Sequence, residues 1–383
     1  MLEKVSRKLP LLLILGWLAI LISVLTIGWT NTWKTLGVPT MWPPFADMRT
    51  VQGSLISIEL GFNPQTENPG DPWKRVMNYP SLWSSVAEVL NLQDESNYLI
   101  LISTWIVLFV FCCYSLLRKF PSLFHLLLCF SGSALLAVER GNNDLLVFVL
   151  LFLAASSNAV FSTIAVTLAT LLKIYPLLIV PAFLKTPKTI ILMTAGVGCA
   201  LLLLWPELSS ILSGTPVSGG LSYGSKRISA VAQKYIAIPL PSIAFSLSFL
   251  AISFVIFFKQ ETRKLLATDN LTNTEERLFL IGSCVYIGTF ILSSNWDYRL
   301  IFLLFCAPLV LKLKLQTLKY LLLAALVIAM NELLMSALFG KFGLAVNILS
   351  KTFLLIVFCS ITLLKLHQVL EDKGLTLKKN GKS

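Results

Sequence analysis

Long apolar segments follow one another along most of this sequence and are separated by short polar breaks. A helix that crosses a membrane needs about 20 apolar residues, and several segments reach that length. We therefore expect an all-α polytopic membrane protein with about ten to twelve transmembrane helices. Shorter segments are expected to be half-helices, re-entrant pieces or continuous with their polar flanks. The predicted spans are Leu9 to Trp29, 98–117, 120–138, 145–157, 159–174, 176–184, 189–205, 241–258, 278–294, 300–311, 317–335 and 344–366.

The composition excludes two other classes of protein. With 13% charged residues against 56% hydrophobic ones, the chain has too little charge to cover the surface of a soluble protein of its length. The apolar residues do not alternate with polar ones, as the strands of a membrane β-barrel require.

The basic residues, cysteines and histidines indicate which partners and metal sites to expect. The net charge of +12 would suit nucleic acid, but the basic residues lie mostly at the ends of apolar segments, so no nucleic-acid partner is expected. All seven cysteines lie within apolar segments, where they act as small hydrophobic residues. His125 and His367 have no companions at metal-ligand spacing, so no metal site is predicted.

The basic residues also set the predicted orientation. Lys4, Arg7 and Lys8 precede a first span that is too long for a cleaved signal peptide, and they place the N-terminus in the cytoplasm. Alternating the spans from there places the basic tail, 367–383, in the cytoplasm as well.

The same alternation puts most of the unusual polar motifs on the outer side. These are the two long loops, 31–97 and 206–240, and the breaks at 139–144, 173–176, 295–299 and 336–343. We expect 1–383 to form a single membrane domain whose functional residues collect at the outer face.

The first outer loop, 31–97, is long enough to have structure or function of its own. Its apolar residues recur at helical spacing, with polar residues on the opposite side: Met48, Val51, Leu55 and Ile58 against Arg49, Gln52 and Glu59. This pattern predicts an amphipathic helix that lies on the membrane surface. A second short amphipathic stretch follows Tyr79-Pro80.

Asp47 is placed at the start of the predicted surface helix and has two interpretations. Its carboxylate could act as a general base that takes a proton from an acceptor hydroxyl at the membrane surface. Alternatively, it could be only the N-cap of the helix, a position that aspartate favours for its hydrogen bonds to backbone N–H groups.

The break Arg140-Gly-Asn-Asn-Asp144 sets charged residues between two apolar segments. The planar fork of Arg140 suits a phosphate, while Asn142 and Asp144 could bind sugar hydroxyls or orient the arginine. The alternative is a structural pair of Arg140 and Asp144 that closes a tight turn containing glycine.

Lys173 and Tyr175 come at the end of a later span, just before Pro176. The proline disfavours helical geometry at Tyr175, so the helix is expected to break there beside protein or a water-filled cavity. Lys173 would add positive charge to that cavity. The alternative is that Lys173 extends to the lipid headgroups.

Two further outer segments carry charge. Asn295-Trp-Asp-Tyr-Arg299 combines Asp297 and Arg299 with two aromatic residues, which suits sugar stacking and phosphate contact, or else an interfacial aromatic belt with an ion pair. Lys226, Arg227 and Lys234 in the second outer loop could gather a lipid-linked phosphate, or that loop could be a solvated segment. Glu332, near the outer end of its span, is not assigned to the site.

Several of these motifs together resemble glycosyltransferase family 87. They are Arg140-Gly-Asn-x-Asp144, a span, Lys173-Ile-Tyr-Pro176, a long first loop with an early Asp47, and Gly61-Phe-Asn-Pro64 leading to Asn78-Tyr79-Pro80. The resemblance covers residues 9 to 184, and the C-terminal half only in its hydropathy.

The resemblance implies a GT-C fold, a helical membrane bundle with a long structured first outer loop. It implies inverting transfer of a hexose such as mannose from a polyprenyl-phosphate donor to a lipid or glycan acceptor, at the outer face of a bacterial plasma membrane. Asp47 would be the general base, and Arg140, Asn142, Asp144 and Lys173 would line the donor site. Tyr79 and Tyr175 are assigned to the donor site because they belong to the matching motifs, and Asp297 and Arg299 because of their location. No cofactor is firmly implied, and a carboxylate-bound divalent metal stays open.

The sequence departs from the family pattern in three places and leaves other functions open. Val51 and Gln52 stand where an aromatic residue is frequent, Gln65 where tyrosine is common and Ser81 where a second proline is usual. A lipid or sugar transporter or flippase would also use broken helices and charges at membrane depth, although it should show two related halves. A polysaccharide polymerase or ligase would share the outer-face chemistry.

Overall fold

A computed structural model describes residues 8–214, 220–236, 241–292 and 294–372. Helices make up most of these residues, and the described strands form one two-residue antiparallel pair. Five helical segments are long and apolar enough to cross a membrane: Leu9–Ile27, Glu95–Lys119, Leu123–Arg140, Pro187–Ile211 and Glu332–Glu371. The described chain thus has the helices of an integral membrane protein, and the larger number of spans stays a prediction.

The α-helices are α1 (Leu9–Ile27), α2 (Trp29–Thr35), α3 (Ala46–Glu59), α4 (Leu82–Val89), α5 (Glu95–Lys119), α6 (Leu123–Cys129), α7 (Gly132–Arg140), α8 (Asp144–Ser156), α9 (Ala159–Leu172), α10 (Pro187–Leu204), α11 (Leu208–Gly214), α12 (Ser225–Ile236), α13 (Ser242–Phe258), α14 (Gln260–Leu265), α15 (Asn273–Leu292), α16 (Ala307–Leu311), α17 (Gln316–Ala329) and α18 (Glu332–Asp372). The strands are β1 (Ser222–Tyr223) and β2 (Asn295–Trp296). Three 3₁₀ helices cover Tyr175–Phe183, Trp205–Glu207 and Asp297–Phe305.

Two predicted spans are not α-helical along most of their length. The 176–184 segment is the 3₁₀ helix Tyr175–Phe183, which contains Pro181 and begins next to Pro176. Proline removes a backbone donor and clashes with the preceding turn, so it prevents a regular α-helix here. The 300–311 segment is divided between the 3₁₀ helix Asp297–Phe305 and α16. The predicted 120–138 span is also interrupted, between α6 and α7.

Aromatic side chains fill the centre of the bundle and join the helices that carry the polar motifs. Phe148 of α8 stacks on Phe305 with ring centroids 4.2 Å apart and meets Phe109 of α5 edge to face at 5.1 Å. Phe302 in turn lies 5.7 Å from the ring of Tyr175. This packing holds α8 and both long 3₁₀ helices in fixed positions relative to one another.

The first loop contains the predicted helix, but that helix is not free on its polar side. Met48 and Val51 of α3 are buried, and so is Arg49 on the opposite face. The Arg49 guanidinium donates to both carboxylate oxygens of Glu95 at 2.6 and 2.7 Å and lies 4.2 Å from the Tyr98 ring centroid. The predicted helix is thus present, and a bidentate ion pair turns Arg49, on its polar side, toward α5. Its place on the membrane surface stays a prediction.

The second loop is folded onto the bundle wherever it is described. Ser222 of β1 pairs with Trp296 of β2 and Tyr223 pairs with Asn295, while α12 packs against α13. These residues do not form a loose solvated segment.

Some of the basic residues used for the predicted orientation lie outside the described residues. They are Lys4 and Arg7 before the first span and Lys373, Lys378, Lys379 and Lys382 in the tail, of which only 367–372 is described, within α18.

Candidate functional site

The turn between α7 and α8 places the first loop against the bundle. Gly141 ends α7 with φ at +56°, in the left-handed region that glycine adopts without strain. A Cβ at this position would come 2.7 Å from Cβ of Phe45 and 3.0 Å from Cγ2 of Ile102, so only glycine allows this approach. Tyr98 fixes the same loop residue by donating its hydroxyl to the Phe45 carbonyl at 2.6 Å. The loop therefore meets the turn just before Asp47.

Asp47 is not the N-cap of α3. The helix begins at Ala46, and Phe45 occupies the cap position with a left-handed backbone. The Asp47 carboxylate instead accepts a hydrogen bond of 2.6 Å from Nδ2 of Asn142 in the turn. With 16% of its side chain exposed, Asp47 can still be reached from outside. The capping interpretation is wrong, and the carboxylate is available for another role.

Asn142 connects Asp47 to a second, fully buried carboxylate. Its Oδ1 accepts from Nζ of Lys173 at 3.0 Å and from the backbone N–H of Asp144 at 2.8 Å. Lys173 also donates to Asp144, which accepts from the Tyr175 hydroxyl at 2.8 Å and from Nε of Arg299 at 3.3 Å. We call Asn142, Asp144, Lys173, Tyr175 and Arg299 the Asp144 cluster. The structure thus brings together five of the predicted residues beside Asp47.

Lys173 lies inside the protein. Its side chain is 9% exposed, and its ammonium lies 5.5 Å from the ring centroid of Tyr79 and 5.8 Å from that of Tyr298. Because it is paired and enclosed by aromatic rings, the alternative in which it extends to lipid headgroups is wrong. Tyr79, the predicted motif residue of the first loop, therefore also belongs to the site.

Two arginines flank Asp47. Nη1 of Arg75 lies 3.8 Å from Oδ1 of Asp47, and the same guanidinium is held by both carboxylate oxygens of Asp71 and by the carbonyl of Ala46. Nη1 of Arg140 donates to Glu139 at 2.5 Å. The proposed Arg140–Asp144 pair is thus wrong, since each residue has a different partner.

Burial and the neighbouring groups shift the pKa of Asp47 in opposite directions. Burial raises the pKa of its carboxyl above the ordinary value, and this is the larger effect. The hydrogen bond from Asn142 and the positive charges of Arg140, Arg75 and Lys173 act against it by favouring the carboxylate. Asp47 is therefore a stronger base than an ordinary aspartate and remains surrounded by cations.

Asp297 is not part of this cluster. Its oxygens accept from Nζ of Lys351 at 2.8 and 2.9 Å, and Lys351 also donates to Glu332 at 2.7 Å. Arg227 lies 3.8 Å from Glu332. We call Arg227, Asp297, Glu332 and Lys351 the Lys351 cluster. Asp297 and Arg299 are thus neither partners in one ion pair nor members of one cluster.

Sequence reasoning missed Lys351, Arg75 and Glu139 as functional or structural charges. Lys351 could have been found, because a lysine well inside the apolar 344–366 segment is costly unless it is paired. Arg75 stands four residues after Asp71 in a polar loop, and nothing in that spacing points to Asp47.

Comparison with known proteins returns no match. No family model, no curated protein and no solved structure is similar to this chain. The resemblance to glycosyltransferase family 87 therefore stays a prediction that rests on the residues alone. Within the described part of the chain, no group of three or more His, Cys, Asp and Glu side chains is arranged to hold a metal ion.

Cavities are also found away from the charged residues. One of about 400 Å³ lies between α1 and α5 and is lined by apolar side chains and a tyrosine, among them Ile14, Val110 and Tyr114. It contributes nothing to the chemistry around Asp47.

Proposed function

We propose that this protein is a membrane hexosyltransferase that moves a hexose, such as mannose, from a polyprenyl-phosphate donor to a lipid or glycan acceptor. The observation that carries the proposal is the state of Asp47: a partly exposed carboxylate that caps no helix, accepts a hydrogen bond from Asn142 and is flanked by Arg75 and Arg140.

The chemistry requires one base and a set of cations. In inverting transfer the acceptor oxygen attacks the anomeric carbon from the face opposite the phosphate. Its proton passes to Asp47, and the bond from that carbon to the phosphate oxygen breaks with its electron pair left on the phosphate. A carboxylate whose pKa is raised takes the proton more readily, and nearby cations stabilise the departing phosphate. The residues around Asp47 supply both.

The surroundings of the site suit a lipid-linked substrate. A donor already activated as a phosphate ester needs no nucleotide-binding fold, and the chain has the long apolar helices of a membrane protein. We place the site at the outer face of a bacterial plasma membrane, with both termini in the cytoplasm, on the basis of the positive-inside pattern and the family resemblance.

The test is sugar transfer in membranes from a panel of polyprenyl-phosphate hexoses. Asp47→Asn keeps an acceptor for Asn142 but lacks the base, so we expect the transfer rate to fall about 100-fold or more while the amount of inserted protein is unchanged. Glu59→Gln is the matched control, since Glu59 is an exposed carboxylate on the same helix, and it should transfer at the wild-type rate.

Two results would count against the proposal. Wild-type transfer by the Asp47→Asn protein would remove Asp47 as the base. A polyprenyl-phosphate hexose that crosses the membrane with its sugar still attached would instead indicate a flippase, and mass analysis of the lipid product separates the two.

A further inference from the structure

Four cations lie around Asp47 or the neighbouring Asp144, and they differ in the residues that they already contact. Lys173 is held by Asn142 and Asp144 and faces two tyrosine rings. Arg299 donates to Asp144 and to Asn295, and its guanidinium carbon lies 4.4 Å from the Tyr175 ring centroid. Both cations neutralise Asp144, a carboxylate with no exposed surface.

Arg140 makes the fewest contacts of the four. Arg75 makes three hydrogen bonds and lies 4.5 Å from the Trp73 ring centroid, more contacts than Arg299 makes, and it is distinguished by an Nη1 that faces Asp47. Among the described residues, the only hydrogen-bond acceptor recorded for Arg140 is Glu139, which leaves most of its five N–H groups for another partner. Arg75 uses Nε and Nη2 on Asp71 and Ala46, while its Nη1 lies 3.8 Å from Asp47, beyond a hydrogen bond. The Arg75 side chain is 31% exposed, that of Arg299 17% and that of Arg140 13%, so Arg140 differs from Arg299 in its unused N–H groups and not in its exposure.

Both arginines are also held in place from behind. Asp71 accepts from the backbone N–H groups of Trp73 and Arg75 as well as from the Arg75 side chain, so this carboxylate is fixed. Glu139 likewise accepts from the backbone N–H of Met41 at 2.8 Å. A guanidinium that is oriented by its own acid and has donors left over matches the oxygens of a phosphate ester.

We propose that Arg75 and Arg140 bind the phosphate of the substrate, and that Lys173 and Arg299 are counter-ions that hold Asp144 in place. This assignment rests on the proposed function for the identity of the ligand. It divides the predicted donor site in two: a phosphate-binding pair beside Asp47 and a structural cluster behind it.

The experiment measures binding of undecaprenyl phosphate, which carries no sugar, to the purified full chain in detergent. Arg75→Gln and Arg140→Gln should each weaken binding roughly tenfold or more, because each removes charge-assisted hydrogen bonds to the phosphate. Lys74→Gln is the matched control: it removes one positive charge from an exposed neighbour of Arg75 and should bind as the wild type does. Arg75→Lys keeps the charge without the fork and should bind with intermediate affinity.

The outcomes separate this proposal from the proposed function. Binding of undecaprenyl phosphate that is absent in the wild type, or unchanged in both Gln variants, would overturn the phosphate site. Wild-type binding that depends on both arginines, without any sugar transfer, would keep the phosphate site and overturn the hexosyltransferase. If Arg75→Gln does not fold, Arg75→Lys and Arg140→Gln decide.

Discussion

The Asp144 cluster and the Lys351 cluster have the same components and different boundaries. In each, a buried lysine donates to oxygen atoms of neighbouring side chains, and an arginine lies beside one of the acidic residues. The Asp144 cluster continues through Asn142 to Asp47, which is partly exposed. The side chains of the Lys351 cluster are at most 10% exposed. Similar groups therefore lie beside a partly exposed carboxylate in one place and are enclosed in the other, and we propose a ligand site only beside the exposed carboxylate.

The Lys351 cluster joins parts of the chain that are far apart in sequence. Lys351 donates to the carbonyl of Ser222 in β1, and Glu332 accepts from the backbone N–H of Leu221. Asp297 donates its own N–H to the Leu221 carbonyl at 2.8 Å. The cluster thus fixes the second loop to α18, and buried ion pairs of this kind specify an arrangement more than they add stability.

Lys351→Met should have the largest effect on stability. It leaves the carboxylates of Asp297 and Glu332 buried, and among the described residues the one other basic side chain paired with either is Arg227, beside Glu332. Loss of one partner of a buried pair costs about 3–5 kcal/mol. Thermal unfolding in detergent should show a large fall in the melting temperature. Lys341→Met, at an exposed position of the same helix, is the control and should unfold as the wild type does. Equal melting temperatures for the two variants would contradict a structural role for the cluster.

Gly141→Ala should have the next largest effect, and Gly37→Ala provides a comparison. Both glycines have a positive φ, +56° at Gly141 and +70° at Gly37, but an added Cβ meets Phe45 and Ile102 at Gly141 and open space at Gly37. A side chain at positive φ costs about 1 kcal/mol at either position, and overpacking should add about 1–3 kcal/mol at Gly141 alone. Because Phe45 must move, sugar transfer should also fall in Gly141→Ala. Similar unfolding of the two variants would show that the approach of the first loop to the turn is not tight.

Lys173→Met should affect stability less than Lys351→Met does. Asp144 would keep Arg299 and Tyr175 as partners, so we expect a loss of about 2 kcal/mol, the value of hydrogen bonds to a charged group. Binding of undecaprenyl phosphate should stay close to that of the wild type. If binding is lost while the melting temperature is unchanged, Lys173 contacts the phosphate, as the sequence motif predicts.

Much of the helical architecture could be predicted from hydropathy, because apolar length and helical spacing are local properties. Asn142, Asp144, Lys173 and Tyr175 could also be singled out, since polar residues at the ends of successive apolar segments are costly unless they meet. The residues with which these side chains pair could not be predicted from the sequence. Whether Arg140 turns to Glu139 or Asp144 depends on rotation about α7 and on the αL turn at Gly141, which spacing does not encode.

Ion pairs between residues that are far apart in the sequence could not be predicted either, for a related reason. Lys351 meets Asp297 because β1 and β2 lie against α18, and it meets Glu332 because α18 is kinked at Gly340 between the two residues. No local pattern predicts either contact. The sequence puts Arg49 on the polar side of its helix but does not show its partner, because Glu95 lies at the start of another helix. Charge pairs between elements follow from tertiary packing, whereas the elements themselves follow from local sequence.

Asp47→Asn should have the smallest effect on stability, and of the opposite sign to Lys351→Met. The groups that face Asp47 are Asn142, Arg140, Arg75 and Lys173, and burial outweighs them, so the pKa of the folded carboxyl lies above its ordinary value of 3.8. A carboxyl with a raised pKa in the folded protein opposes folding once it is ionised, and its contribution to stability is lost as the pH rises through the folded pKa.

Replacing Asp47 with a neutral hydrogen-bond acceptor should therefore raise the melting temperature at neutral pH, on the order of 1 °C. The difference should shrink as the pH falls and vanish well below pH 3.8, where Asp47 is protonated in the unfolded chain as well. A lower melting temperature for Asp47→Asn at neutral pH would mean that Asp47 stabilises the fold through Arg75 and Arg140, as the acids of the Lys351 cluster do through Lys351. If Asp47 serves catalysis and not stability, Asp47→Asn should be slightly more stable than the wild type and should lose sugar transfer.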